Sequence, residues 1–299
     1  MKQFYISIFV YLFSSACDAQ QLTASSFYDM HAVLHNPATA GGNHQGFIGA
    51  TYRTQWSNMP GSPQTALVFG NAFLQKVNIG IGGYVYNDVT GPTRRTGLQM
   101  AYAYQIQLNN SSFFSIGIEG RFQQFSFDRQ KLQESIGNDP VLEGTGNRIK
   151  GDAGLGLVYS SEKFQIGTSV SQLMQTKLDW YEGTGNQQEE AKLYRHYYLH
   201  SNYSFDVDGV TQIVPNVLLI YLPNAPLEMQ AGARVEHNNL LWWGLAWRAR
   251  QSLMISAGLH IKEKFTVGYS FDIYTTPLSV YDKGSTGHEI ILRYDFTSK

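Results

Sequence analysis

Cysteine is almost missing from this chain: the only one is Cys17. Once the leader described below is removed, no cysteine remains, so disulfide staples are excluded although the chain is exported. Long apolar runs are missing too. Beyond the leader none approaches the ~20 residues that a membrane-spanning helix needs, which excludes crossing a bilayer by helices. Neither sign of charge is in excess, with 22 Lys plus Arg against 23 Asp plus Glu. That balance argues against a nucleic-acid binder that works by general phosphate attraction. Helix signals are nearly absent. Aromatic residues, in contrast, are abundant, with 19 Tyr and 17 Phe, and these suit β-strands and the belts that rim a membrane barrel.

The first residues, MKQFYISIFVYLFSSACDAQQ, place Lys2 before an apolar run from Phe4 to Phe13 and then small residues up to Ala19. This order reads as a signal peptide over 1–19, cut after Ala19 to leave Gln20 as the mature start. The alternative is a lipoprotein cut before Cys17, but Ser14 stands where that motif usually has Leu. The expected organisation is a signal peptide (1–19), a lead-in segment at the periplasmic mouth or in the lumen (20–44), a barrel (45–296) and a short tail (297–299).

From about residue 45 the chain alternates. In LQMAYAYQIQL, residues 98–108, the apolar Leu98, Met100, Tyr102, Tyr104, Ile106 and Leu108 alternate with Gln99, Ala101, Ala103, Gln105 and Gln107. A period of two is a strand with one greasy and one wet face. The same pattern places strands near 45–56, 64–75, 77–88, 95–108, 113–126, 152–160, 163–174, 194–206, 211–222, 227–236, 240–248, 252–261, 264–275 and 287–296. The fold class expected is all-β, an antiparallel transmembrane β-barrel of about 14 strands. Connection lengths sort by parity, as a barrel with short periplasmic turns and longer outer loops requires. The tight ones fall near 76, 109–112, 161–162, 207–210, 237–239 and 262–263, and the long ones over 127–151, 175–193 and 276–286. The closing strand carries Ile290, Leu292, Tyr294 and Phe296 at every second position, like the C-terminal signal of outer-membrane barrels. Alternation turns Glu119, Arg121, Glu228, Arg234 and Glu236, with Arg53, toward the wet side as candidate lumen charges. Buried charges need partners, so a polar network across the interior is their expected role.

Catalytic and metal chemistry finds little support. His196 and His200 have zinc-helix spacing, but on a strand they stand roughly 13 Å apart. Asp206 and Asp208 in DVDG lack the other spaced oxygen ligands of a calcium loop and read as a turn. The glycines of GIGGYVYND and GDAGLGLVY do not open a helix, so they match no phosphate fingerprint and read as relief of crowding or as bends. Glu189 and Glu190 read as a solvated loop. No GxSxG occurs, and His288 with Glu289 or His260 would need a serine brought close in space. No enzyme activity, metal or cofactor is expected.

Two stretches exceed what barrel physics demands: HNPATAGG at 35–42 and YRTQWSNMPGSPQT at 52–65. With Gly80, Gly82, Asp88-Val89-Thr90-Gly91-Pro92, Tyr102-Ala103-Tyr104, Asp139-Pro140 and GSTGHEIILRYDF, they resemble the PorP/SprF family of Bacteroidetes outer-membrane proteins. The residues carrying the match are Asn36, Pro37, Ala38, Ala40, Gly41, Arg53, Gln55, Trp56, Pro63, Thr65, Asp88, Gly91 and Pro92. Asn71 departs from it, standing where many relatives have Asp. The resemblance implies an outer-membrane location, a role in type IX secretion and gliding motility, and cell-surface adhesin anchoring. The protein partners it implies are the C-terminal domain of a secreted adhesin and periplasmic or lipoprotein components of the machinery. Fourteen strands also allow an open lumen, so a porin or diffusion channel is the alternative.

Overall fold

The alternating stretches become the wall of a closed barrel. The computed structural model describes residues 25–136, 147–177, 192–276 and 286–296, except 45 and 224. The wall begins with β1 (Gly46–Gln55), β2 (Gln64–Leu74), β3 (Ile79–Thr90), β4 (Thr93–Asn109) and β5 (Ser112–Phe127). It continues with β6 (Arg148–Ser161), β7 (Phe164–Ser171), β8 (His196–Tyr203), β9 (Phe205–Asp206) and β10 (Thr211–Tyr221). It ends with β11 (Glu228–His237), β12 (Leu241–Arg248), β13 (Ser252–Ile261), β14 (Phe265–Tyr274) and β15 (Thr286–Phe296). Neighbours pair antiparallel, and β15 returns to β1 from Gly46↔Phe296 to Gln55↔Gly287, which closes the ring. β8 and β9 meet β10 in one register and form a single strand interrupted at Ser204. The interruption falls where β10 carries Pro215, which has no N–H to give a ladder. Counting that strand once leaves fourteen of the fifteen segments as separate staves.

The greasy face of the alternation points outward. Gln99 is 1% exposed and Ala103 0%, whereas Met100 between them is 63% exposed. Leu98, Tyr102, Tyr104, Ile106 and Leu108 share the outward face. An apolar belt toward lipid and polar side chains inside is the arrangement of an outer-membrane barrel. The two rims differ as the parity predicts. One carries only the tight connections 75–78, 110–111, 162–163, 207–210, 238–240 and 262–264. There Asn238 and Asn239 both adopt positive φ, a region Asn tolerates. The other rim carries 128–147, 172–195 and 275–285. β1 starts and β15 ends at the short-turn rim.

Three details depart from the sequence reading. A short helix, α1 (Arg129–Ile136), follows β5. Its signal was present: Asp128 accepts the Lys131 N–H at 3.3 Å, and good helix formers follow. β6 starts at Arg148 rather than 152, because its polar opening pairs with Gln123–Phe125 of β5 beyond the apolar belt. β7 stops at Ser171 rather than 174. There Gln172 and Gln175 turn to positive φ, and the Asp152 carboxylate takes the Met174 N–H at 3.0 Å in place of a ladder bond.

Candidate functional site

Residues 25–44 lie inside the ring. They contact β1, β4, β6, β7, β8, β11, β12, β14 and β15, strands on every side of it, which only the lumen allows. The segment runs from the long-loop half to the short-turn rim. Ser25 and Ser26 meet Glu289 near the start of β15 and Asp272 near the end of β14, whereas His44 stacks on Phe73 and Phe113 near the short turns.

Its middle, Asn36-Pro37-Ala38-Thr39-Ala40-Gly41, forms a capped 3-10 turn. Pro37 sits at the first helical position, and Asn36 Oδ1 accepts the Ala38 N–H at 2.9 Å. Asn36 is fully buried, and its Nδ2 donates to the carbonyls of Leu157 at 3.1 Å and Thr168 at 3.2 Å and lies 3.1 Å from His200 Nε2. A glycine track receives this turn. A Cβ on Gly80 would lie 1.9 Å from Ala40 O, one on Gly117 2.3 Å from Ala38 N, and one on Gly156 2.0 Å from Asn36 Oδ1. Gly80 and Gly156, read from sequence as crowding relief, therefore join Gly117 in allowing one specific close approach. Gly41 has φ +69°, its N–H donates to Asn71 Oδ1 at 2.5 Å, and Gln105 Nε2 donates to its carbonyl at 3.1 Å. The amide of Asn71, the departing residue, fits that acceptor role.

Charged groups clamp the rest. At the outer end the Arg53 guanidinium, 2% exposed, meets Asp272 at 2.6 Å and Glu289 at 2.9 Å, and also donates to Ser26. Ser25 Oγ and the Ser26 N–H donate to the two oxygens of Glu289 at 2.8 and 2.7 Å, and Arg248 donates to Ser25 O at 3.2 Å. A second group joins Gln99, Glu119 and Arg121, with Arg121 donating to Leu34 O at 3.5 Å. A third joins Arg234 to Glu236 at 2.9 Å and to Asp29 of the inner segment. Glu228 shares the inward parity of β11 with Gln230, so every candidate lumen charge is placed inside. Apolar anchors complete the seat: Phe27 and Leu34 against Phe69, Trp242 and Ile291, and Tyr28 against Tyr198, Leu218 and Met254. Beneath the segment a cavity of about 660 Å³ opens at the short-turn rim, roofed by Asp29, Met30 and Thr39 and walled by Arg234, Glu236 and Arg293.

The remaining motif residues gather at the long-loop rim. Thr65 Oγ1 donates to Asp88 at 2.8 Å, Gln55 N–H to Pro63 O at 3.0 Å, and Gly91 N–H to Gly61 O at 2.8 Å. Trp56 packs on Tyr274, which binds both Gln55 and Arg53, and Pro92 O accepts the Asp128 N–H at 2.8 Å. Motifs scattered over residues 53–92 thus form one patch directly above the Arg53 cluster. His196 and His200 both face the lumen on β8. Asp206 pairs with Lys163 at 2.7 Å. Asp208 caps its own turn, and the Thr211 hydroxyl and nearby N–H donors hold its carboxyl below the usual range. His288 bonds Tyr269 on the outer face while Glu289 points inward, so these neighbours serve no common site. Asp139-Pro140, Glu189, Glu190, residues 1–24 and 297–299 lie outside the described residues. Sequence reasoning did not single out Ser25, Ser26, Asp29, Arg248 or Asp272, although parity alone turns Asp272 inward beside Ser270.

Comparison with known proteins agrees with this geometry. In fold the chain is similar to the toluene transporter TbuX of Ralstonia pickettii, with a TM-score of 0.52 at 9% identity over 89% of this chain and 93% of that one. A ΔS2S3 mutant of the monoaromatic hydrocarbon channel TodX gives a TM-score of 0.50 at 12% identity over 88% and 93%. Such low identity speaks to the fold alone. No curated protein matches the chain. A family model described as type IX secretion system membrane protein PorP/SprF matches residues 16–294. The chain belongs to the PorP/SprF family of type IX secretion membrane proteins.

Proposed function

We propose that this protein is a non-enzymatic outer-membrane scaffold of the type IX machinery that anchors a secreted adhesin by its C-terminal domain or docks a motor component, in gliding cells. The observation that carries this reading is the filled lumen: residues 25–44 occupy the space that a steady diffusion channel needs. An outside partner would meet the rim patch around Trp56 and Gly91, and a periplasmic or lipoprotein partner would meet the opening beneath the segment. The leader at 1–19 delivers the chain, and mass spectrometry of the purified protein should find Gln20 as its first residue. Crosslinking in intact cells followed by pull-down of the full-length protein tests the docking. The expected catch is a secreted adhesin crosslinked through its C-terminal domain, and deletion of the barrel should strip that adhesin from the surface. Unchanged surface display after deletion, with only bulk membrane proteins captured, would sink the reading. The weaker alternative, an open porin, requires wide, steady conductance from the wild-type barrel.

A further inference from the structure

We propose that the barrel is also a latent aqueous pore for small hydrophilic solutes, closed at rest by residues 25–44 and opened when this stopper swings toward the periplasm about Gly41-Gly42. Five observations combine. Between its apolar seats the wall behind the stopper is polar, with Thr51, Gln99, Ser115, Gln230, Ser252 and Ser270 on its inner face. The stopper adds no strand to the ladder, since every stave already has two neighbours, so it can leave while the ring stays closed. Its continuation into β1 lies at the short-turn rim, whereas its Ser25 end is clasped in the outer half by Arg53, Asp272, Glu289 and Arg248. A body tethered at one rim and latched at the far end can leave only toward the tether. On that side lies the cavity of about 660 Å³. At the pivot Gly41 has φ +69°, and no atom lies within 4 Å of where a Gly42 Cβ would stand.

The solute class follows from the lining. Arg53, Arg121, Arg234 and Arg248 face Glu119, Glu228, Glu236, Asp272 and Glu289, a near balance that gives little preference for either sign of ion. Closure at rest follows from the apolar anchors, because leaving their seats returns the apolar surface of Phe27, Tyr28, Val33 and Leu34 to water.

Single-channel conductance of the full-length protein in planar bilayers, in potassium chloride, tests the gate. Gly117→Val wedges the stopper out, because even a Cβ there lies 2.3 Å from Ala38 N. Gly120→Val, on the same strand but facing lipid with open space, is the matched control. Wild type and Gly120→Val should be almost silent, and Gly117→Val should raise the open probability by about tenfold or more. In a Cys17→Ala background, Ala40→Cys with Gly82→Cys brings two Cβ atoms within 3.3 Å, close to disulfide range. Oxidised, this pair should silence Gly117→Val, and a reductant should restore its conductance. Gly117→Val conducting no more than Gly120→Val would overturn the gate, as would steady wild-type conductance that the cross-link leaves unchanged. If Gly117→Val does not insert, Ser25→Ala with Ser26→Ala replaces it, and the same two outcomes decide. A silent barrel leaves the docking reading intact, and failure of adhesin capture leaves the pore intact.

Discussion

Arg53 joins three parts of the chain at one guanidinium: its own β1, the carboxylates of Asp272 and Glu289 on the last two strands, and Ser26 of the stopper. Removing it leaves two carboxylates buried without their cation. Breaking a buried pair this way costs about 3–5 kcal/mol, so Arg53→Ala should lower the temperature of the heat-modifiable gel shift markedly. Arg53→Lys should recover only part of it, since an ammonium lacks the planar fork that serves both acids. A midpoint equal to wild type for Arg53→Ala would show that water reaches the cluster and solvates both acids. Asn36 works through neutral bonds. Asn36→Ala removes a helix cap and two donations to wall carbonyls, a loss of about 2 kcal/mol in seating the stopper. The expected readout is faster proteolysis within 25–44 while the barrel keeps its folded mobility; cleavage no faster than wild type would mean that the glycine track alone holds the turn.

Strands were legible because each one carries its own test: a period of two, an apolar face and a turn signal at each end. All fourteen staves lie over the stretches that test marks, with β6 opening earlier and β7 stopping earlier than it says, and LQMAYAYQIQL turns its tyrosines to lipid. The irregular parts were less legible for a physical reason. The end of β7 depends on Asp152, which takes a backbone N–H that no local pattern announces. Arg53 finds Asp272 across 219 positions, and only the closure of the ring sets that meeting. The glycines of β3, β5 and β6 look alike in sequence, yet Gly80, Gly117 and Gly156 touch the stopper while Gly120 faces lipid. What a glycine is for depends on what approaches it, and that is a long-range fact. The orientation of β4 gives a direct check. Tyr102→Lys puts a charge into the apolar belt at about 2–4 kcal/mol, whereas Gln107→Lys, exposed near the short-turn rim, should cost within about 0.5 kcal/mol. Folded yield in the outer membrane compares them, and equal yields would reverse the assignment of faces.

At the scale of the whole molecule, wall and stopper make separable contributions. The wall is a complete hydrogen-bonded cycle, so backbone pairing does not depend on residues 25–44. The stopper fills the cycle, and its outer clasp straddles the seam where β15 meets β1, with Arg53 and Glu289 directly opposite each other. Deleting residues 25–40 should therefore leave a barrel that inserts and shows heat-modifiable mobility. Its transition should fall, because the buried apolar anchors each contribute about 1.5–3 kcal/mol and the clasp loses both serines. Part of that loss is recovered as water enters and solvates Asp272, Glu289 and the unpaired arginines, groups that lose most in a dry interior. The fall should still be larger than for Arg53→Ala in the intact chain, because the anchors lost together outweigh the about 3–5 kcal/mol of one broken buried cluster. Thermal gel-shift midpoints of the two variants decide the matter. A deletion variant that no longer inserts would mean that the stopper is needed to close the ring, and that wall and stopper fold as one unit.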